Sequence, residues 1–168
     1  SIFLTADDDV DEVQIVRVYD SDGGTSLSGV YTLVFDTREC NLCANQAQGE
    51  TGAILFSAPA TGTLGDSMQE KLEEISPDVV DSVVVTRTTI SNGTHEGYEY
   101  KITFDGLDVG GNVPQLQVGT DALSGDNPGV EIVTETDGNE LNGSVVLTYD
   151  DSISNPPRAC YGSCNTGS

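Results

Sequence analysis

Four cysteines in two close pairs are the residues whose spacing most directly suggests chemistry. Two residues separate Cys40 from Cys43, and three separate Cys160 from Cys164. Four thiolates can hold zinc, but the second pair lies in a tail rich in Pro and Gly, and a thioredoxin-like motif needs a βαβ context that is missing here. Structural disulfides are therefore the favoured interpretation, with zinc and free or redox thiols as the alternatives. Closure within each pair is the simplest connectivity, pairing between neighbouring subunits is the other, and both indicate an oxidising compartment.

Catalytic patterns are weak in this chain. The single histidine, His95, lies in a predicted loop beside a glycosylation sequon, whereas a Ser/His/Asp triad needs a buried and oriented imidazole. With 28 acidic residues, a carboxylate pair at glycosidase spacing is expected by chance. No glycine-rich phosphate loop follows a predicted strand and opens a helix. We therefore predict a protein that is not an enzyme and needs no cofactor.

Two acidic clusters raise the question of calcium, a hard cation that prefers oxygen ligands. The first contains Asp7, Asp8 and Asp9, and the second is Asp20-Ser21-Asp22-Gly23. The second resembles the start of an EF-hand loop but lacks its remaining acids, and its counterpart at Asp137-Gly138 indicates a hairpin turn. Solvated charge is the favoured interpretation for both clusters. Calcium held loosely at Asp7–Asp9 as a counter-ion is the weaker alternative, and no dedicated metal site is predicted.

Two sequons for N-linked glycans occur, Asn92-Gly93-Thr94 and Asn142-Gly143-Ser144. Asn92 lies in an Asn-Gly turn between two amphipathic strands, and Asn142 lies at the start of another strand. Both positions can present a glycan to solvent. We expect glycosylation at Asn92 and at Asn142 if the source is eukaryotic.

The charge excludes several classes of partner. The 168-residue chain carries a formal net charge of −22 and fits one domain. Nucleic acids and anionic membranes need cationic contacts, so binding to either is not expected. No run of 18 apolar residues is present, so no membrane insertion is expected. The chain begins SIFLTADDD without a basic segment, which we interpret as a mature or trimmed product.

The elements that must position these residues are mostly strands. Apolar residues recur with helical spacing only at Met68, Leu72 and Ile75, so one short helix is predicted over about residues 66–75, with Asp66 or Ser67 as its N-cap. Alternation over 98–104, a β-branched run over 83–90 and further short strands are separated by Gly, Asn and Asp. The pattern predicts a mostly β protein, an Ig-like antiparallel β-sandwich with one inserted helix.

An internal repeat is the most informative feature. A short strand and a longer strand, Val13–Val16 and Leu27–Asp36, recur in the same order as Val130–Val133 and Leu141–Asp150. Each copy is followed by one of the cysteine pairs. The apolar face of the longer strand is kept, because Tyr31, Leu33 and Phe35 match Val145, Leu147 and Tyr149.

The repeat defines the expected organisation. One full period runs from about 29 to 142, inside a sandwich over 13–150 with a duplicated strand pair at each end. An arm (1–12) precedes it and a tail with two cysteines (151–168) follows. Strand edges left without partners pair with another chain or must be blocked. Two interpretations stay open: copies joined head to tail, or a self-contained domain whose duplicated hairpins pair with each other.

The order of several short motifs resembles a known extracellular family. The motifs are Gly29–Phe35, Cys40-x-x-Cys43, Thr51–Ile54, Ser57-Ala58, Lys71–Ile75, Val83–Arg87, Tyr98–Phe104 and Asn112–Leu116. Over roughly residues 10 to 150 this order is similar to the long repeats of algal and oomycete surface proteins, including fibrocystin-like and mastigoneme-like proteins. The resemblance implies an Ig-like β-sandwich used in adhesion and fibres at the cell surface. The chain is also similar to subunits of glycosylated helical filaments from aquatic microbes.

Two functions from different classes are compatible with this sequence. The first is a structural subunit of an extracellular fibre, a homo-oligomer built head to tail by β-strand addition. Its candidate assembly residues are the apolar arm Ile2, Phe3, Leu4 and Thr5, then the duplicated strand with Val145, Leu147 and Tyr149. The second is an adhesion or carbohydrate-binding module. The chain has no Trp, and four tyrosines lie in strand patterns typical of a core: Tyr31, Tyr98, Tyr100 and Tyr149. Tyr19 and Tyr161 are therefore the candidates left for stacking on a sugar.

Overall fold

The computed structural model describes residues 10–22, 26–40, 43–75, 79–93, 95–106, 109 and 111–139. These residues form two antiparallel sheets and one short helix, which confirms the predicted mostly β, sandwich-like fold. The elements are β1 (Glu12–Asp20), β2 (Ser28–Asp36), β3 (Gln48–Glu50), β4 (Ile54–Leu55), α1 (Met68–Glu73), β5 (Val84–Ser91), β6 (Glu96–Phe104), β7 (Gln117–Ser124) and β8 (Pro128–Thr136).

The first sheet has the strand order β5-β6-β1-β8. β1 pairs along its whole length with β6, from Glu12 opposite Phe104 to Asp20 opposite Glu96. On its other side it pairs with β8. β5 and β6 form the predicted hairpin, and Gly93 in its Asn-Gly turn has the positive φ of 82° that favours glycine.

The second sheet is built around β2. β3 and β4 pair with the two halves of β2 on one side, and β7 pairs with it on the other. The position of Gly29 in β2 requires a glycine. Its φ is 99°, and a Cβ there would lie 2.3 Å from the carbonyl oxygen of Ala122 in β7. Only glycine fits this close approach without a shift of the backbone.

The core lies between the two sheets and uses the predicted alternating faces. Tyr31, Leu33 and Phe35 of β2 are completely buried, as are Tyr100, Ile102 and Phe104 of β6. The Phe35 and Phe104 rings stack with centroids 5.4 Å apart. Burial of one such side chain contributes about 1.5–3 kcal/mol, so these facing strands hold the two sheets together.

The helix is shorter than predicted but starts as expected. Ser67 is the N-cap and forms a capping box with Glu70, which selects one of the two caps that the sequence allowed. Met68 and Leu72 are completely buried and Ile75 lies just beyond the helix in the core. The helix therefore closes one end of the core with the apolar residues that predicted it.

Two details of the predicted repeat are wrong. β1 and β2 do not form a hairpin, because they lie in different sheets and the segment between them crosses from one sheet to the other. Asp137-Gly138 is not a hairpin turn either. After β8 the chain continues along β1, and Asn139 pairs antiparallel with Val10. Asp, Asn and Gly in a sequence indicate a change of direction but do not indicate which strand is the partner.

Candidate assembly surfaces

The short strands of the two repeat copies lie side by side within one chain. Ile15 is opposite Val133 and Val16 is opposite Ile132, so β1 and β8 pair through their matching sequences. This is the arrangement expected for duplicated strands that pair with each other. The predicted longer strand of the second copy, 141–150, lies outside the described residues.

The β1–β8 ladder extends to one end of the first sheet, which we call the exit pole. There Val10 and Asn139 exchange main-chain hydrogen bonds of 3.5 and 2.8 Å, and the Asn139 side chain accepts another bond from the Val10 N–H at 2.9 Å. Val10 is the first described residue and Asn139 is the last. The arm and the duplicated strand are therefore both joined to the described domain at the exit pole.

A buried polar cluster fixes the exit pole. The Glu12 carboxylate is 1% exposed and accepts hydrogen bonds from Gln14 Nε2 at 3.1 Å, Thr134 Oγ1 at 3.3 Å and the Gly138 N–H at 3.0 Å. Gln14 also accepts from the Leu116 N–H at 2.8 Å. Because a buried charge is costly unless it is well bonded, these contacts fix the position at which both terminal segments begin.

At the opposite end, which we call the far pole, Asp20 corrects an expectation. Its carboxylate is completely buried, not solvated, and accepts the main-chain N–H groups of Asp22 at 3.1 Å, Asp126 at 2.8 Å and Asn127 at 3.2 Å. The hydrogen bond from Asp22 is the main cause that lowers the pKa of Asp20, followed by those from Asp126 and Asn127. The EF-hand-like pattern thus ties β1 to the loop between β7 and β8.

The strands at sheet edges differ in the charge they carry. Within the described residues, the outer edges of β3, β4, β5, β7 and β8 pair with no strand, and β4 is only two residues long. β3 contains Glu50, β7 contains Asp121, and β8 contains Glu131 and Glu135. β5, with the sequence VVTRTTIS, contains no carboxylate. Charged residues on an edge discourage pairing with another chain, so β5 has the least protection of the edge strands longer than two residues.

The basic side chains of the described residues all have internal partners. Arg17 bonds Glu99 at 2.7 Å and Glu131 at 3.1 Å, Arg38 bonds Asp36, Lys71 bonds Glu74, Lys101 bonds Glu135, and Arg87 donates to the carbonyls of Ser57 and Ala58. The charge on the surface is consequently dominated by carboxylates. Two copies that meet through described residues would gain little from new ion pairs.

An apolar cleft opens at the far pole beside the end of β5. It has a volume of about 250 Å³ and is lined by Leu27, Phe56, Thr89, Glu96, Gly97 and Tyr98. The rings of Phe56 and Tyr98 lie 6.4 Å apart, and the Arg87 guanidinium covers the Tyr98 ring at 4.5 Å. Pockets for small molecules are usually about 300–1,000 Å³, so this cleft better suits a single side chain.

A second, polar cleft of about 410 Å³ lies on the outer face of the first sheet. We call it the Tyr19 cleft. It is lined by Arg17, Tyr19, Ile90, Asn92, His95, Glu99 and Glu131. The Tyr19 and His95 rings are 5.5 Å apart. Sequence reasoning identified Tyr19 but missed the pairing of Arg17 with two carboxylates, which depends on neighbouring strands far apart in sequence.

The predicted modification sites that are described differ in burial: Cys40 and Cys43 belong to the buried core, whereas Asn92 is exposed. Cys40 and Cys43 form a disulfide after β2, as expected for closure within the first of the two cysteine pairs. Asn92 is exposed at the tip of the β5–β6 hairpin, and its side-chain oxygen accepts from the His95 N–H at 2.8 Å.

Many predicted site residues lie outside the described part of the chain. They are Ile2, Phe3, Leu4, Thr5, Asp7, Asp8, Asp9, Asn142, Val145, Leu147, Tyr149, Cys160, Tyr161 and Cys164. Predictions for these residues stay predictions. In the described part, no group of three or more His, Cys, Asp or Glu side chains is arranged to hold a metal ion.

Comparison with family models, curated proteins and solved structures found no match for this chain. The resemblance to extracellular repeat proteins therefore rests on the sequence motifs alone. Among the described residues, no helix has the length and hydrophobicity needed to cross a membrane.

Proposed function

We propose that this protein is a structural subunit of an extracellular glycoprotein fibre. Copies join head to tail when a terminal segment of one copy adds as a strand to an open sheet edge of the next. The observation that carries this proposal is the Val10–Asn139 bridge, because it joins both candidate segments, 2–5 and 145–149, to one pole of the domain. A contact between that pole and another surface of the next copy is heterologous, and heterologous contacts generate open helices or rings.

The pairing of β2 supports the proposal that its repeat copy, 141–150, needs partner strands. β2 has partners on both sides, β3 and β4 on one and β7 on the other. The segment 141–150 repeats the pattern of β2, so it has the character of a strand with two partners rather than of an edge. In the fibre, neighbouring copies supply these partners.

The distribution of charge supports assembly through the main chain. The chain carries −22, and the described basic side chains are engaged internally. Attraction between copies then comes from main-chain hydrogen bonds and apolar burial, which need no cation. The acidic outer surface keeps separate fibres apart, with loosely bound cations such as calcium as counter-ions.

The expected compartment follows from the same surface features. Asn92 lies exposed at a hairpin tip, and the Cys40–Cys43 disulfide suits an oxidising environment. We therefore assign the fibre to the outside of the cell, with N-linked glycans at Asn92 and Asn142. The assembly uses neither a membrane-inserted segment nor nucleic acid.

Electron microscopy of the full chain, secreted from eukaryotic cells, tests the proposal. We expect filaments at micromolar or higher concentration, and their loss in Leu4→Ser. The matched control is Leu64→Ser, since Leu64 is 86% exposed in a loop and its removal deletes the same apolar surface elsewhere. A chain that stays monomeric at every concentration, or that loses filaments equally in both variants, contradicts the proposal.

A carbohydrate-binding or adhesion module is the second candidate, and the Tyr19 cleft favours it. An aromatic ring beside arginine and two carboxylates offers both stacking and hydrogen bonds to a sugar. Titration of the full chain with a panel of oligosaccharides, followed by NMR, should then shift the signals of Tyr19 and Arg17. Binding that survives Tyr19→Ala unchanged would exclude this cleft as the site.

A further inference from the structure

We propose that β5 is the edge that receives the N-terminal segment of a neighbouring copy, and that Phe3 of that segment occupies the apolar cleft at the far pole. This inference rests on the proposed fibre function and identifies its acceptor site. The occupant is Ile2–Thr5 of a second copy.

The first argument is charge. The arm carries Asp7, Asp8 and Asp9 immediately after its apolar residues. An arm that adds to β3, β7 or β8 approaches an edge that contains at least one carboxylate, whereas β5 has none and contains Arg87. β4 also lacks a carboxylate, but with two residues it is too short to pair with the whole arm segment. Like charges on adjacent strands are destabilising. Among the edges long enough to pair with the arm, β5 is therefore the one that repels it least.

The second argument is the character of β5 itself. Thr86, Thr88 and Thr89 are exposed, and such β-branched residues favour strands. β5 contains no Pro, Gly or acidic residue, and its one charged side chain, Arg87, is bonded to the carbonyls of Ser57 and Ala58, so this edge lacks most of the usual protection against pairing with another chain. Such an edge is a ready template for one more strand.

The third argument is the position of the cleft beside this edge. Thr89 lies at the end of β5, and Leu27, Phe56 and Tyr98 provide apolar walls between the two sheets. Gly97 allows β6 to approach β1 closely behind the cleft, since a Cβ there would lie 2.0 Å from the carbonyl oxygen of Val18. A strand that extends β5 can direct an aromatic side chain into this space, which is how buried anchors stabilise interfaces.

The fourth argument compares the distance from Val10 to the cleft with the length of chain between Val10 and Phe3, and it distinguishes a neighbour's arm from the chain's own arm. Thr89 pairs with Tyr98, and Tyr98 pairs with Val18, so the cleft is level with Val18. That level is 18 − 10 = 8 residues beyond Val10, and β5 is two strands away from β1, which gives a separation of about 28 Å. Phe3 is seven residues from Val10 and spans at most about 25 Å. A strand added to β5 lies one further strand spacing from β1, so the Cα atom of Phe3 cannot reach this level of the added strand within its own copy.

Photocrosslinking of the full chain tests the assignment directly. Chains with benzoylphenylalanine in place of Phe3 are mixed with an excess of ¹⁵N-labelled unmodified chains, assembled and irradiated. We expect crosslinks to the labelled copy, at peptides that contain Leu27, Phe56 or residues 88–98. Crosslinks to the unlabelled chain's own cleft overturn the inference. Crosslinks to β7 or β8 of the labelled copy overturn it as well, but leave the fibre proposal intact.

A pair of threonine variants provides the second measurement. Thr89→Trp fills the cleft, and we expect it to raise the critical concentration for assembly at least ~10-fold. Thr88→Trp is the matched control, because it places the same side chain on the opposite face of the same strand, and we expect less than a ~2-fold change.

The two variants also separate the two proposals. Equal effects of Thr89→Trp and Thr88→Trp, in chains whose circular dichroism matches the wild type, refute the role of the cleft alone. A wild-type chain that never assembles and gives no crosslink between copies refutes both the cleft and the fibre.

Discussion

The two edges of the first sheet, β5 and β8, differ in what surrounds their charged residues. β8 carries Glu131 and Glu135, which are paired with Arg17 and Lys101 from strands nearer the centre of the sheet. β5 carries no carboxylate, and its one cation, Arg87, is turned to the carbonyls of Ser57 and Ala58. One edge presents charge to an approaching strand and the other presents threonines. The same sheet thus has one edge that resists pairing and one that permits it.

Acidification should remove this difference between the edges, and we expect it to change the association of fibres more than any other treatment or variant below. Near the isoelectric point of about 4.1 the net charge approaches zero, so the acidic edges no longer repel an approaching copy as they do at pH 7. We expect fibres to bundle sideways between pH 7 and about pH 4, as measured by light scattering and electron microscopy.

The fold should stay native while the fibres bundle, because the pKa values of two carboxylates are lowered in the folded protein. The pKa of Asp20 is lowered by main-chain N–H groups, and that of Asp36 is lowered to about 2, chiefly by its hydrogen bond with Arg38. Groups with lowered pKa values stabilise the fold above their unfolded pKa near 4, and this stability is lost as the pH falls through the folded value. Circular dichroism should therefore report the native fold at pH 4 and progressive loss towards pH 2. Unfolding that accompanies bundling at pH 4 would contradict this order.

A carboxylate placed on β5 should make that edge resemble β8. Thr86 is exposed and lies opposite Lys101, so Thr86→Glu should fold normally. Repulsion between the new charge and the acidic arm should raise the critical concentration about 10-fold at low salt, and 1 M NaCl should reverse most of the effect, because the Debye length falls to about 3 Å.

Gln117→Glu is the matched control for Thr86→Glu. It adds the same charge to an exposed position on β7, an edge that already contains Asp121. We expect a change smaller than ~2-fold in critical concentration. An effect of Gln117→Glu that equals or exceeds that of Thr86→Glu would identify β7 as the acceptor edge.

The sequence predicted most of the elements but not their partners. Alternating residues identified β6 and the buried face of β2, and the Ser67–Glu70 capping box identified the helix start, because these signals are local. The pairing of β1 with β8 and the buried role of Asp20 depend on residues more than 100 positions apart. The separation of β1 and β2 into different sheets depends on their pairing with β6 and β7, which lie far along the chain. An acidic turn looks the same in sequence whether its carboxylate faces solvent or the N–H groups of a distant loop.

The same limit applies to the candidate site. The arm, its apolar residues and the sequon at Asn92 could be recognised from local sequence. The apolar cleft could not, because Leu27, Phe56, Thr89 and Tyr98 come from four segments of the chain. The lack of carboxylates in β5 can be read from the sequence, but its consequence depends on the position of β5 at the edge of the first sheet, which only the structure shows.

The smallest predicted effect concerns the ion pairs that connect β8 to the centre of the first sheet. Arg17 on β1 lies between Glu99 on β6 and Glu131 on β8, whereas Lys101 on β6 pairs with Glu135 alone. Exposed ion pairs contribute about 0.2–1 kcal/mol each. Arg17→Met leaves two carboxylates without their shared cation, so it should lower the free energy of unfolding by ~1 kcal/mol, and Lys101→Met should lower it by less. Urea denaturation at low and high salt measures both, and the difference should shrink as salt screens the exposed charges. A larger loss in Lys101→Met would mean that Arg17 does not connect this edge to the sheet, and that main-chain pairing with β1 alone keeps β8 in position.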